Sequence, residues 1–152
     1  MAPTLGSAVF LDTNILVYAS FPGTPFYEAA RTRLNQLEDN GDCSGQAARY
    51  SANTSLRLHP GAVVPPPTVA ALSQAVRLFE AEFEVAGEDA AVTALLLDVL
   101  KSRPVQGKQI HDANIVATMR RNKILWLLTH NTADFTRYLP DIRVLPLISP
   151  DE

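Results

Sequence analysis

The sequence predicts an α/β domain whose parallel sheet is covered by helices on both faces. Short apolar runs without a polar alternate face, such as Ala8-Val9-Phe10-Leu11 and Ile124-Leu125-Trp126-Leu127-Leu128, are what strands buried on both sides require. Between them lie segments of about ten residues or more with helical spacing of apolar side chains, the alternation expected of βαβ units. The composition fits one such unit. The 152 residues, 47% apolar and 19% charged, are enough to bury a single core and too apolar for a disordered chain. Neither an internal repeat nor a linker divides them, so residues 1–152 are expected to form one domain.

Each element follows from its local pattern. Residues 8–11 form the first strand, and Asp12-Thr13-Asn14 then supplies capping residue types before Ile15-Leu16-Val17-Tyr18 begins a helix. A second helix is predicted over 26–38, with Ala30, Leu34 and Leu37 on one face. Val69, Leu72, Val76 and Phe79 are spaced for a third, and Phe83-Glu84-Val85-Ala86 alternates like a short strand. Val92, Leu95, Leu96, Val99 and Leu100 mark a helix that stops near Pro104. Residues 111–121 are helical, 124–128 form a buried strand, and 142–145 form the last strand. The exception is 43–67. With Gly45, Pro60, Gly61 and Pro65-Pro66-Pro67, it keeps neither period for long. It is expected to be the least ordered part of the domain, cut first by protease near Arg49 or Arg57.

Composition also bounds function. No apolar run approaches the roughly eighteen residues of a membrane span, and no basic region followed by a long apolar stretch opens the chain. One cysteine, Cys43, excludes an internal disulfide, suits a reducing cytoplasmic compartment, and has no neighbour to activate it as a nucleophile. A net charge of −3 rules out binding nucleic acid through the overall field and leaves only a local basic patch for that task.

Three polar clusters stand at strand ends or a helix start: Asp12-Thr13-Asn14, His111-Asp112-Ala113-Asn114, and Thr129-His130-Asn131-Thr132-Ala133-Asp134. Ligands of an open parallel sheet bind outside the carboxyl ends of its strands, so these clusters can meet at one edge. Carboxylates gathered there repel and need a cation, and oxygen ligands select a hard ion, Mg²⁺ or Mn²⁺. Such a site suits phosphodiester hydrolysis. Plainer readings exist for each residue. Asp12 could be an N-cap, Asp112 a partner of the helix dipole, and Asn131 and Asp134 turn formers, while His111 and His130 suit positions beside a metal site better than within it. Trp126 reads as core. What outweighs the plain readings is the joint placement of the three clusters.

The same residues carry a resemblance. Val9-Phe10-Leu11-Asp12-Thr13-Asn14 resembles the opening of a PIN domain, and the stretches from His111 to Ala117 and from Leu128 to Phe135 resemble its two later signatures. Order, spacing and length are similar to the VapC-type ribonuclease toxins, which prokaryotes pair with antitoxins. The resemblance covers 8–42 and 68–148. It implies a three-layer α/β/α sandwich around a mainly parallel sheet and a Mg²⁺- or Mn²⁺-dependent endoribonuclease that leaves 5′-phosphate and 3′-hydroxyl ends. It also implies an antitoxin partner, with a homodimer left open. By position, Asp12 and Asp112 become the catalytic metal carboxylates, Asn131 and Asp134 complete the metal shell, and Thr13, Asn14 and Thr129 support it.

One departure stands out. The family usually carries, on the helix after the second strand, a glutamate in a stretch similar to Gln-x-Leu-x-Glu followed by an aromatic residue. Gln46-Ala47-Ala48-Arg49-Tyr50 has the glutamine and the aromatic without an acid between them, and Asp42 is the nearest substitute. Genuine divergence and a reading-frame change confined to this stretch both fit such a composition. The alternative function is therefore a non-catalytic PIN fold that binds RNA or an antitoxin. A phosphatase with an aspartyl nucleophile fits less well, because the second aspartate it wants two residues on is Asn14.

Lys101, Arg103 and Lys108 precede Asp112 and are the candidate RNA contacts, against the plainer reading of solvated surface charge. Neutralising all three should flatten the salt dependence of RNA binding, measured as the slope of log affinity against log salt. An unchanged slope would remove this patch from the contact surface.

Overall fold

The computed structural model describes residue 3 and residues 7–39, 48–50 and 67–149. Strand β1 (Val9–Leu11) runs into α1 (Thr13–Ser20) and α2 (Tyr27–Asp39), and β2 (Ala48–Tyr50) follows. Next come α3 (Val69–Glu82), β3 (Glu84–Val85), α4 (Ala90–Ser102) and α5 (Gln109–Arg121). The chain ends with β4 (Trp126–Thr129), α6 (Thr132–Phe135), a 3-10 turn over Thr136–Tyr138, and β5 (Arg143–Pro146).

The five strands form one sheet in the order β3-β2-β1-β4-β5, and every adjacent pair is parallel. The α/β sandwich expected from the sequence is what the chain forms. Period-two alternation sorts β1 between two cores. Val9 and Leu11 point into one, with Ile15, Leu16, Tyr18, Ala30, Leu34, Trp126 and Leu128. Phe10 points into the other, with Val99, Ala113, Val116, Met119 and Leu127. A helix layer therefore lies on each face, α1 and α2 on the first and α4 and α5 on the second. Between them the strand is sealed, with Phe10 and Leu11 at 0% exposure. Among the described residues no helix is long and apolar enough to cross a membrane.

Two elements differ from the sequence reading. The 43–67 segment supplies β2, hydrogen-bonded between β1 and β3 with Phe10 opposite Arg49. Ala48-Arg49-Tyr50 is thus strand, so these residues are not a remnant of the family's helical glutamate motif. Three residues held by neighbours on both sides need no apolar period of their own, because the sheet supplies the pairing. Asp42, Cys43 and Arg57, with the rest of that segment, lie outside the described residues. The second is α6 and its 3-10 turn, in a stretch to which the sequence reading assigned no element.

The joint between α5 and β4 positions both halves of the candidate site. Lys123 adopts φ 56°, its amide donates to the Arg120 carbonyl, and the Ile124 amide donates to Met119 at 2.9 Å. These two bonds close the helix in a Schellman arrangement whose left-handed position normally takes glycine. A non-glycine residue there costs about 1 kcal/mol. Lys123→Gly should therefore stabilise the protein by about that amount in urea unfolding. A destabilised variant would show that the lysine side chain contributes more than the strain costs.

Candidate active site at the switch point

The strand order reverses between β1 and β4, since the chain leaves β1 toward β2 and leaves β4 toward β5. The carboxyl ends of two such strands leave a crevice between their diverging connections. Asp12 follows β1 directly and Thr129 ends β4, and the Asp12 amide donates to the Leu128 carbonyl at 3.0 Å. Both clusters therefore open onto one edge.

Asp12 stands at the N-cap position of α1 yet makes no side-chain cap bond. Its Oδ2 instead accepts from the Thr129 hydroxyl at 2.7 Å and from Asn14 Nδ2 at 3.0 Å. Its shortest bond thus runs across the sheet to Thr129 and not to the end of α1. Thr129 is fully buried, and its Oγ1 also accepts from the Asn131 amide at 3.0 Å and, more weakly, from Asn14 Nδ2 at 3.4 Å. One hydroxyl thereby ties Asp12, Asn14 and Asn131 together across the two strands. Burial pushes the Asp12 carboxyl above its ordinary range, opposed by the Thr129 bond, the Asn14 amide, the His111 charge and the Thr13 amide.

Asp112 lies in the first turn of α5, anchored by fully buried Ala113 beside it. Burial raises its carboxyl to about 6, with further increments from the charges of Asp134 and then Asp12. Arg137 and Lys108 pull the other way. Asp12, Asp112 and Asp134 thus share one electrostatic neighbourhood although they come from the ends of β1, α5 and α6. Asn131 sits at the N-cap of α6 without a side-chain cap bond. Among the described residues, however, no three His, Cys, Asp or Glu side chains stand close enough to hold one ion together.

The three basic candidates separate. Lys101 and Lys108 are exposed, on the last turn of α4 and just before α5. Arg103 is engaged, since its guanidinium pairs with Asp141 at 2.9 Å and lies 6.0 Å over the Tyr138 ring. Arg120 binds the same Asp141 oxygen at 2.7 Å. Sequence reasoning missed Arg137, the exposed cation that acts on Asp112, because nothing in its spacing distinguishes it from other surface arginines. It also missed the ring group beside the site. His130 lies 4.3 Å from Phe26 and edge-on to Tyr18 at 5.7 Å, centroid to centroid.

Comparison with solved structures places this geometry. VapBC2 from Rickettsia felis, bound to a DNA fragment from its promoter, matches with a TM-score of 0.63 and 19% identity over 91% of this chain and 98% of its own. A toxin–antitoxin complex from Klebsiella pneumoniae matches at 0.62 and 23% identity over 94% and 99%. The chain has a VapC-like PIN fold. FitAcB from Neisseria gonorrhoeae shares that PIN fold at a TM-score of 0.55 and 20% identity, over 91% and 97% of the two chains. No family model matches the sequence, and no curated protein does. At these identities the likeness is one of fold, with Asp12 and Thr129 at the switch point of the PIN sheet.

The raised Asp112 carboxyl has a consequence for stability. Because folding raises its pKa from 3.8 to about 6, its contribution is fully present below about pH 3.8 and is lost as pH rises through about 6. In EDTA, Asp112→Asn should therefore be more stable than the parent at pH 7.5. The gain is about 1–2 kcal/mol once solvent screening of this half-buried group is discounted. It should vanish near pH 4. Equal unfolding midpoints at pH 7.5 would show that the carboxylate is not under strain from its neighbours.

Proposed function

We propose that this chain is a single-domain, metal-dependent endoribonuclease of the PIN toxin type, cytoplasmic and held in check by an antitoxin. The carrying observation is the convergence of Asp12, Asp112 and Asp134 on the switch-point edge, each acid there opposing the ionisation of Asp112. Carboxylates whose charges are mutually unfavourable at neutral pH fit a divalent cation, and an all-oxygen set with Asn131 fits Mg²⁺ or Mn²⁺. Hard ions of this kind keep several waters, so two direct carboxylates and water-bridged neighbours suffice where three acids do not meet. The toxin–antitoxin complexes with the same fold support the antitoxin partner.

When bound, such an ion supplies a more acidic water and offsets charge on the phosphodiester. The protein's own residues provide the rest. Asp12 and Asp112 would hold the ion, with the Thr129 hydroxyl fixing the orientation of the Asp12 carboxylate. Asp134 and Asn131 would orient water for attack on phosphorus, with the bond from phosphorus to the 3′-oxygen breaking to leave 5′-phosphate and 3′-hydroxyl ends. Arg137 and Lys108, the cations that act on Asp112, would attract the phosphate charge.

The second reading, a PIN fold that binds RNA or an antitoxin without cutting, is favoured by the absence of a three-acid group among the described residues. Calorimetric titration with Mn²⁺ separates the two. The enzyme reading expects binding at millimolar or tighter affinity that Asp112→Ala abolishes, and Mn²⁺-dependent RNA cleavage that Asp12→Asn reduces at least a hundredfold. A parent protein that binds no Mn²⁺ is the non-catalytic form, and unchanged cleavage by Asp12→Asn would remove Asp12 from the site.

A further inference from the structure

Beside the carboxylates lies an aromatic group to which the hydrolytic chemistry gives no part. His130 follows Thr129 directly, and its amide reaches Asn14 Oδ1 at 3.5 Å, so its backbone is tied to the same residues that hold Asp12. Its ring leans on Phe26, with centroids 4.3 Å apart and planes inclined at 41°, and meets Tyr18 edge-on. Tyr18 closes the back of the group, 5.0 Å from Phe26 and only 8% exposed. Phe26 and His130 are both half-buried, Phe26 packed against the core that contains Tyr18.

The charge balance says what such a surface would contribute. The chain carries a net charge of −3, and much of its positive charge near α5 is committed: Arg103 and Arg120 to Asp141, Arg121 to Asp89. Phosphate attraction alone is then a weak hold on single-stranded RNA, and the three carboxylates oppose it. Stacking on an aromatic ring carries no net charge, is not opposed by those acids, and accepts any base.

We propose that Phe26 and His130 form a nucleobase platform that stacks a base of single-stranded RNA adjoining the phosphate at Asp12. The proposal rests on the ribonuclease reading above and adds to it the base contact by which the substrate is seated. Tyr18 acts as the buried support of the platform, and the Asn14 tie sets its distance from the carboxylates.

Fluorescence anisotropy on the full chain in EDTA, where cleavage does not interfere, provides the test. The ligands are a short single-stranded RNA and a series in which each member lacks one base. One abasic position should weaken binding about tenfold, ~1.4 kcal/mol, at the low end of what base–aromatic stacking gives. His130→Ala should lose the same factor on intact RNA and nothing further on that abasic member, whereas His130→Tyr should bind as the parent does. On the unmutated protein, 2-aminopurine at that position should be quenched on binding, which covers the case of an alanine variant that fails to fold. RNA that binds equally well with any base removed, or an unquenched 2-aminopurine, overturns the platform and leaves the ribonuclease reading standing. RNA that does not bind in EDTA overturns the platform, and the Mn²⁺ titration then decides the ribonuclease reading separately.

Discussion

The hydroxyl of Thr129 on the carboxylate of Asp12 is the contact on which the site depends. It joins residues 117 apart in sequence across the one place where the sheet reverses its winding. A buried threonine hydroxyl must find partners, and here all of them are polar groups of the crevice. The bond therefore does two things at once. It satisfies a group that burial would otherwise leave costly, and it fixes the rotamer of an acid that would otherwise cap α1. Parallel pairing of β1 with β4, Leu11 opposite Leu128, brings the two residues level, so the register of the core strands sets the geometry of the candidate site.

Folding to this state works against the acids. Burial raises both Asp12 and Asp112, and Asp134 adds to the second. The sheet, with two sealed cores at its centre, provides the stability that offsets the raised carboxyls of Asp12 and Asp112. Nearby cations are arranged unevenly. Arg137 and Lys108 act on Asp112, while Asp141 takes Arg103 and Arg120 into a brace between the C-terminal ends of α4 and α5 and the turn before β5. Arg103 thus sits near the site by sequence and serves the scaffold by geometry. Full neutralisation of the acids by arginine would leave no charge for a cation to answer, and the site retains that unbalanced charge.

How much of this was legible in the sequence depends on how local each signal is. Strands β1 and β4 carry their burial in their own residues, and helices α2, α4 and α5 announce their apolar faces, so the α/β sandwich could be read directly. Strand β2 could not, because Ala48-Arg49-Tyr50 is held by neighbours and has no period of its own. Helix α6 failed for another reason: Asn131 and Thr132 suit a turn as well as a helix start. In the candidate site, Asp12, Asp112 and Asp134 were legible as acids in three separate clusters, and the structure shows the charges of Asp12 and Asp134 acting on Asp112. The role of Thr129 as the hub was not, since a hydroxyl gains its partners only from the fold. Phe26 and His130 lie 104 positions apart, and their contact leaves no mark on either segment.

On the proposed ribonuclease reading, the acid count of the site bears on substrate as well as on metal. Between residues 47 and 66 the sequence has no Asp or Glu, and position 131 is Asn. Each carboxylate removed from such a site weakens its hold on a divalent ion, because affinity follows ligand charge. The same removal lessens the negative potential that an approaching phosphodiester must overcome, and near-surface charge acts over about 8 Å at physiological salt. The two effects pull in opposite directions on turnover, one through ion occupancy and the other through RNA affinity. In a protein of net charge −3 the second is not small. On that reading, a site with few acids, Arg137 acting on Asp112 and half-buried rings of Phe26 and His130 nearby is physically coherent as one that would rely on its substrate contacts more, and on a tightly held ion less, than the full set of acids would.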